Sequence, residues 1–191
     1  MNPKIGEMID DLVAAVARLD EPARETLEAI AGMLVATLEA GGRVYVCGNG
    51  GSAADAQHIA GELAGRFRRD RPALACVALT TDTSVLTAVG NDFSYEQVFS
   101  RQVEALGRPG DVLWALSTSG NSPNVLAAAR TAAAAGMKVV AMTGAAGGAL
   151  GELADLCFRA PAERTDLVQQ LHQLAYHVIC EVIDEHFSRD G

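Results

Sequence analysis

Five short apolar runs alternate with longer stretches of helical spacing, and that alternation constrains the fold more than any other feature of the chain. The runs are residues 43–47, 73–79, 111–116, 137–142 and 155–159. Each predicts a strand buried on both faces, because a half-exposed strand would alternate apolar and polar positions. The segments between them predict helices: two over about 4–40, then 52–67, a short helix or loop over 81–89, 95–106, 123–135, and a long closing helix from Arg164 to Phe187. Gly41-Gly42 ends the second helix, Asn91-Asp92-Phe93 reads as a turn, and Thr143-Gly144 and Gly147-Gly148 bracket a loop. Strand–helix–strand units join parallel neighbours, so the chain predicts an α/β fold with a doubly wound parallel sheet. Its 191 residues fit one domain, 1–191, with 1–41 as an N-terminal helical extension.

In such sheets ligands bind beyond the carboxyl ends of strands. Two loops rich in serine and glycine fall there: Cys47-Gly48-Asn49-Gly50-Gly51-Ser52 and Ser117-Thr118-Ser119-Gly120-Asn121-Ser122. Small residues let the backbone close on an oxyanion, and the helix that follows supplies free amides with partial positive charge. Ser52, with Asp55 three residues on, reads as the N-cap of the first of these helices, and Pro123 opens the second. One such loop is weak evidence, since turns and caps use the same residues. Two of them after two parallel strands predict one crevice holding a phosphorylated metabolite. No Gly-Lys-Ser/Thr follows either loop, so the nucleotide-hydrolysis pattern is absent.

His58 and Glu62 lie four apart on the helix after the first loop and point to one side. That spacing suits divalent-metal ligation or proton transfer, and equally an ordinary exposed pair. The closing helix adds Asp166, Gln169, His172 and His177 beside an apolar face of Leu167, Leu171, Leu174, Val178 and Ile179. Two helical turns, ~12 Å of rise, separate Gln169 from His177. A single ion would need their side chains to lean together, or two subunits to contribute.

A net charge of −9 speaks against a nucleic-acid groove, which needs clustered lysine and arginine. The one dense basic stretch, Arg66-Phe67-Arg68-Arg69, reads as a solvated helix end or as a phosphate or interface contact. Hydrophobic residues make up 49% of the chain, enough for a core and for subunit contacts. The sequence contains no apolar run of the roughly 18 residues a membrane span needs, and its start lacks a signal-peptide pattern. Cys47, Cys76, Cys157 and Cys180 are far apart and read as small buried hydrophobes, which suits a reducing cytoplasm.

Taken in order, Gly48-Asn49-Gly50-Gly51-Ser52-Ala53-Ala54-Asp55-Ala56-Gln57-His58, Glu62 with Gly65-Arg66, Gly90-Asn91-Asp92-Phe93, Ser117 to Ser122, and Asp166…Gln169…His177 resemble the SIS (sugar isomerase) domain proteins, specifically the sedoheptulose 7-phosphate isomerase (phosphoheptose isomerase) family. The resemblance spans nearly the whole chain. It implies a flavodoxin-like sheet of five strands, and a cytoplasmic homotetramer with active sites at subunit interfaces. It also implies conversion of D-sedoheptulose 7-phosphate to D-glycero-D-manno-heptose 7-phosphate through an enediol, toward nucleotide-linked heptose for lipopolysaccharide and other cell-surface glycans. By the same resemblance, Asn49, Gly50, Gly51, Ser52, Ser117, Thr118, Ser119 and Ser122 contact phosphate and sugar. Asn91, Asp92, Asp166 and Gln169 bind or position substrate, and Arg66 is a basic residue of the interface site. Glu62 and His177 match the proton-transfer pair, and His58, Glu62, Gln169 and His177 match the ligands of zinc-bearing members. A related SIS protein that associates with the DnaA replication initiator is the alternative; it lacks the acid and imidazole present here as Glu62 and His177. SIS proteins that sense sugar phosphates or process amino sugars are a third reading, and the unfused length speaks against them.

Overall fold

The computed structural model describes residues 2–188. Helices α1 (Pro3–Val16) and α2 (Glu21–Glu39) begin where side chains cap them. Asn2 Oδ1 accepts from the Lys4 amide and Asp20 Oδ1 from the Ala23 amide, each at 3.0 Å. There follow β1 (Val44–Cys47), α3 (Gly51–Ala64), β2 (Cys76–Ala78), α4 (Thr83–Asp92), a 3-10 turn (Tyr95–Gln97), α5 (Ser100–Leu106), β3 (Val112–Leu116), α6 (Pro123–Ala134), β4 (Lys138–Thr143), α7 (Gly148–Leu153), β5 (Leu156–Arg159) and α8 (Thr165–Phe187).

The five strands form one parallel sheet in the order β2-β1-β3-β4-β5. This is the doubly wound, flavodoxin-like order, with the connections reversing direction between β1 and β3. Central strands are buried on both faces, as their uninterrupted apolar runs require. Val44, Val46, Val112, Trp114, Val140 and Phe158 pack under α2, α3 and α8, whereas Tyr45, Leu113, Ala115 and Val139 pack under α5 and α6. Among the described residues no helix is long and apolar enough to cross a membrane.

The boundaries differ from the sequence reading in six places. Gly65 stops α3 at Ala64, and its amide bonds the Gly61 carbonyl at 2.9 Å, so residues 65–67 lie outside the helix. Ser52 is no cap: Gly50 holds that position, and Ser52 is buried inside the first turn. Strand β2 pairs only from Cys76, because Leu74 gives its amide to Leu63 rather than to β1. Asn91 and Asp92 close α4 instead of forming a turn, and Tyr95–Leu106 is divided between the 3-10 turn and α5. The loop bracketed by glycines contains α7.

His172 ties α8 to the sheet. It is fully buried, and Nε2 lies 3.0 Å from the carbonyl oxygen of Thr143 at the end of β4. A carbonyl only accepts, so Nε2 carries the proton and the ring is neutral. Burial depresses its pKa to about 4, against the Thr143 hydrogen bond, which works upward. The unfolded chain therefore binds a proton near pH 6.5 that the folded chain refuses, and stability falls as pH drops from there toward 4. Two and a half units at ~1.4 kcal/mol each give a loss of about 3 kcal/mol over that window. Denaturant midpoints across the range should show this slope, and His172→Asn should flatten it.

Candidate active site

Both serine/glycine loops emerge at the reversal point. Loop 48–51 leaves β1 and loop 117–122 leaves β3, and these strands are neighbours with Cys47 opposite Ala115. Side chains cap α1, α2 and α4, but α3 and α6 start without a side-chain cap, so their first amides remain open to an anion. Ser122 occupies the cap position of α6, yet its hydroxyl faces Ser117 Oγ at 2.9 Å. Ser119 Oγ stands 3.5 Å from Ser117 Oγ and accepts from the Asn121 amide at 3.1 Å. Thr118 is half-buried and Ser119 exposed, so hydroxyl groups line the surface of this loop.

The loop keeps its shape because α7 packs on it. The Gly120 carbonyl accepts from the Leu150 amide at 2.9 Å and the Thr118 carbonyl from the Gly144 amide at 3.0 Å. Gly120 has φ +66°, and a Cβ there would collide with the Gly147 carbonyl, so a side chain is excluded twice.

Sequence reasoning missed the bridge between the loops. Asn124, buried in the first turn of α6, donates to Asn49 Oδ1 and accepts from Asn49 Nδ2, both at 2.8 Å. Tyr95 Oη also donates to Asn49 Oδ1 at 3.2 Å. The Asn49 carboxamide is thus engaged by the protein. A paired amide 75 residues away has no local signature; only the asparagine just inside a predicted helix start hinted at it.

His58 and Glu62 stand one turn apart on α3, and Nε2 of one lies 2.9 Å from Oε1 of the other. Helix α8 packs alongside and brings His177 to the same place. The ligand atoms of His58, Glu62 and His177 all lie within 4.8 Å of one another. The His177 ring stacks on Phe67 at 5.5 Å and meets Tyr176 and His58 edge-on. Burial first, and the His58 charge next, depress the His177 pKa and favour its neutral ring.

The remaining residues named from sequence lie apart from this trio. The Gln169 carboxamide packs on Gly51, so close that a Cβ on Gly51 would strike it. Asp166, three turns before His177 on α8, is gripped by Arg164 at 2.7 and 3.0 Å, and Arg164 also reaches Asp11 at 2.7 Å. That guanidinium holds the Asp166 carboxyl below the usual carboxylate range. Asn91 donates to Asp92 at 2.8 Å, both exposed at the end of α4. Arg66 is exposed just beyond α3 and forms no ion pair among the described residues.

A buried ion pair fixes the carboxyl end of α3. Asp184 on α8 accepts from Arg71 Nε at 2.7 Å and from the amides of Arg68 and Arg69 at 2.9 and 2.7 Å. Arg71 also donates to the carbonyls of Glu62 at 2.6 Å and Leu63 at 3.0 Å. The backbone of Glu62 is therefore held by a side chain fully removed from water.

Residues 7–144 match the SIS domain family model. The chain is 54% identical over 168 residues to a phosphoheptose isomerase of Rhodospirillum rubrum, covering 88% of this chain and 89% of that one. It is 50% identical over 180 residues to a phosphoheptose isomerase of Roseiflexus, covering 93% and 91%. Among solved structures, the phosphoheptose isomerase GmhA from Neisseria gonorrhoeae superposes with a TM-score of 0.90 at 41% identity, covering 96% of this chain and 98% of that one.

Proposed function

This chain belongs to the phosphoheptose isomerase family of SIS-domain proteins, and from that membership we propose that it is an aldose–ketose isomerase converting D-sedoheptulose 7-phosphate to D-glycero-D-manno-heptose 7-phosphate. The convergence of Glu62, His58 and His177 carries the reading. A carboxylate and a neutral imidazole side by side are what proton transfer between adjacent carbons requires. Ser52, Ser117, Thr118, Ser119 and Ser122, with the amides of Asn49, Gly50 and Gly51, anchor the phosphate. Asn91, Asp92, Asp166, Gln169 and Arg66 meet the hydroxyls or the phosphate end. Glu62 removes the proton beside the ketone, and His177 shuttles the hydroxyl proton as the enediol forms. A proton returned to the neighbouring carbon completes the aldose.

The trio also fits a zinc ion: two imidazoles and a carboxylate are common ligands, and donors bound to one zinc at ~2.0–2.2 Å lie about 3–4 Å apart. A small inward rotation from the 4.8 Å envelope reaches that spacing. When bound, zinc supplies Lewis-acid stabilisation of the enediolate oxygens. His58, Glu62 and His177 would hold it, and Gln169, packed on Gly51, would be a fourth ligand only on leaving that position or on coming from another subunit.

Two observations support a homotetramer with shared active sites. Ile5, Met8, Ile9 and Val13 on α1, with Leu174, Val178 and Val182 on α8, form apolar stripes exposed in the isolated chain. Ten residues of α3, ~15 Å of rise, separate Ser52 from Glu62. A seven-carbon sugar phosphate spans about 8–9 Å from phosphorus to C2, at ~1.2 Å of reach per bond. One substrate therefore cannot span Ser52 and Glu62 of the same helix, which supports a site completed by a second protomer. The acidic chain, its free cysteines and the substrate suit a cytoplasmic enzyme of heptose synthesis for lipopolysaccharide.

Purified protein incubated with sedoheptulose 7-phosphate should yield the aldose, faster with added zinc. Absence of the aldose both with and without zinc would refute the enzymatic reading.

A further inference from the structure

Behind the trio lies a buried chain of polar groups. Tyr176 has no solvent exposure, and its hydroxyl lies 2.9 Å from His58 Nδ1 and 3.4 Å from Asp55 Oδ1. Asp55 Oδ2 is buried and has no partner, and among the described residues Tyr176 is the only donor to that carboxyl group. Asp55 precedes His58 by three residues on α3, and Tyr176 immediately precedes His177 on α8. The two helices thus bring the pair and the trio together.

A phenol has one proton, and His58 faces the trio through Nε2. If Tyr176 gives its proton to Nδ1, then Nε2 carries the ring proton and has no lone pair for a metal. Asp55 then receives nothing from the protein, and its buried Oδ2 already lacks a partner, which costs free energy. If Tyr176 gives its proton to Asp55, its oxygen must accept from Nδ1–H, and the Nε2 proton, which meets Glu62 Oε1 at 2.9 Å, is the one a metal would displace. Only the second arrangement satisfies Asp55.

We propose that Asp55 and Tyr176 are positioning residues that hold His58 in the Nδ1–H tautomer and so prepare Nε2 to bind a divalent metal. This rests on the metal reading of the trio. Partners of this kind change metal affinity by about 10–100-fold when removed.

Zinc competition against a chromogenic chelator, on the full chain at neutral pH, tests the idea. Tyr176→Phe should bind zinc ~10–100-fold more weakly with an unchanged circular-dichroism spectrum, and Asp55→Asn should weaken it in the same direction. Trp114→Phe, a core change on the same sheet face, should leave zinc affinity as in the parent. Parent affinity in both Tyr176→Phe and Asp55→Asn would overturn the proposal while leaving the metal site standing. Equal weakening by Trp114→Phe would overturn it too, by tracing the effect to general loosening. A parent protein that binds no zinc would overturn both the proposal and the metal reading.

Discussion

Glu62→Gln lowers kcat by a factor of ~10²–10⁴, the usual contribution of a positioned acid or base. The amide keeps the shape and the hydrogen-bonding capacity toward His58 Nε2, 2.9 Å away, but cannot take a proton from carbon. Nothing in the fold depends on the Glu62 carboxylate: its backbone carbonyl, not its side chain, receives Arg71. The variant should therefore melt and assemble like the parent, and KM should move little, because the serine loops proposed to hold the phosphate lie elsewhere. Turnover measured at saturating zinc separates loss of the base from loss of a ligand. His177→Ala should match it in kcat, while removing the ring stacked on Phe67. Parental kcat in both variants would remove the pair from the chemistry, and a loss confined to KM would make them binding groups.

That pair was legible in part. The spacing of His58 and Glu62 follows from helix geometry alone, as does the placement of both loops at strand ends. What spacing cannot supply is the partner helix. His177 reaches the trio because α8 packs beside α3 through Leu63, Leu171, Ala175 and Ile179, a tertiary fact with no local trace. The same packing sets Gln169 beside Gly51, two turns from His177, which periodicity foresaw as a difficulty without resolving it. Local boundaries failed where a small residue contradicted a running pattern. Gly65 stopped α3 although Phe67 kept the apolar spacing, and Phe67 turned out to pack on His177 from outside the helix. Helix α7 escaped notice because two of its six residues are glycine, the weakest helix former after proline. The Asn49–Asn124 amide pair and the Tyr176–Asp55 contact join residues far apart in sequence, and such contacts emerge only once the sheet order is known.

Asp184→Asn should destabilise the protein by about 3–5 kcal/mol, the cost of stranding one member of a buried ion pair. Neither side chain of the Arg71–Asp184 pair touches water, and the carboxylate accepts two backbone amides besides the guanidinium. An asparagine cannot accept at both positions: with its oxygen kept toward the Arg68 and Arg69 amides, its NH2 faces Arg71 Nε–H, and that donor loses its partner while still buried. Burial alone would raise the Asp184 pKa; the amides of Arg68 and Arg69 and then Arg71 overcome it and hold the group ionised below the usual range. A depressed carboxyl stabilises the fold above its unfolded value, near pH 3.9, and that contribution is lost as pH falls through the folded value. Its acid limb thus begins where the His172 limb ends. Denaturant unfolding at neutral pH should show the shifted midpoint with an unchanged slope. The double variant Arg71→Met, Asp184→Leu should recover much of the stability, since apolar replacement of both partners removes the stranded charge. It should not recover turnover, because the Glu62 and Leu63 carbonyls still lack the donor that fixes the end of α3. A single variant within 1 kcal/mol of the parent at neutral pH would mean that this ion pair does not anchor the fold, and a double variant with full kcat would mean that it does not aim Glu62.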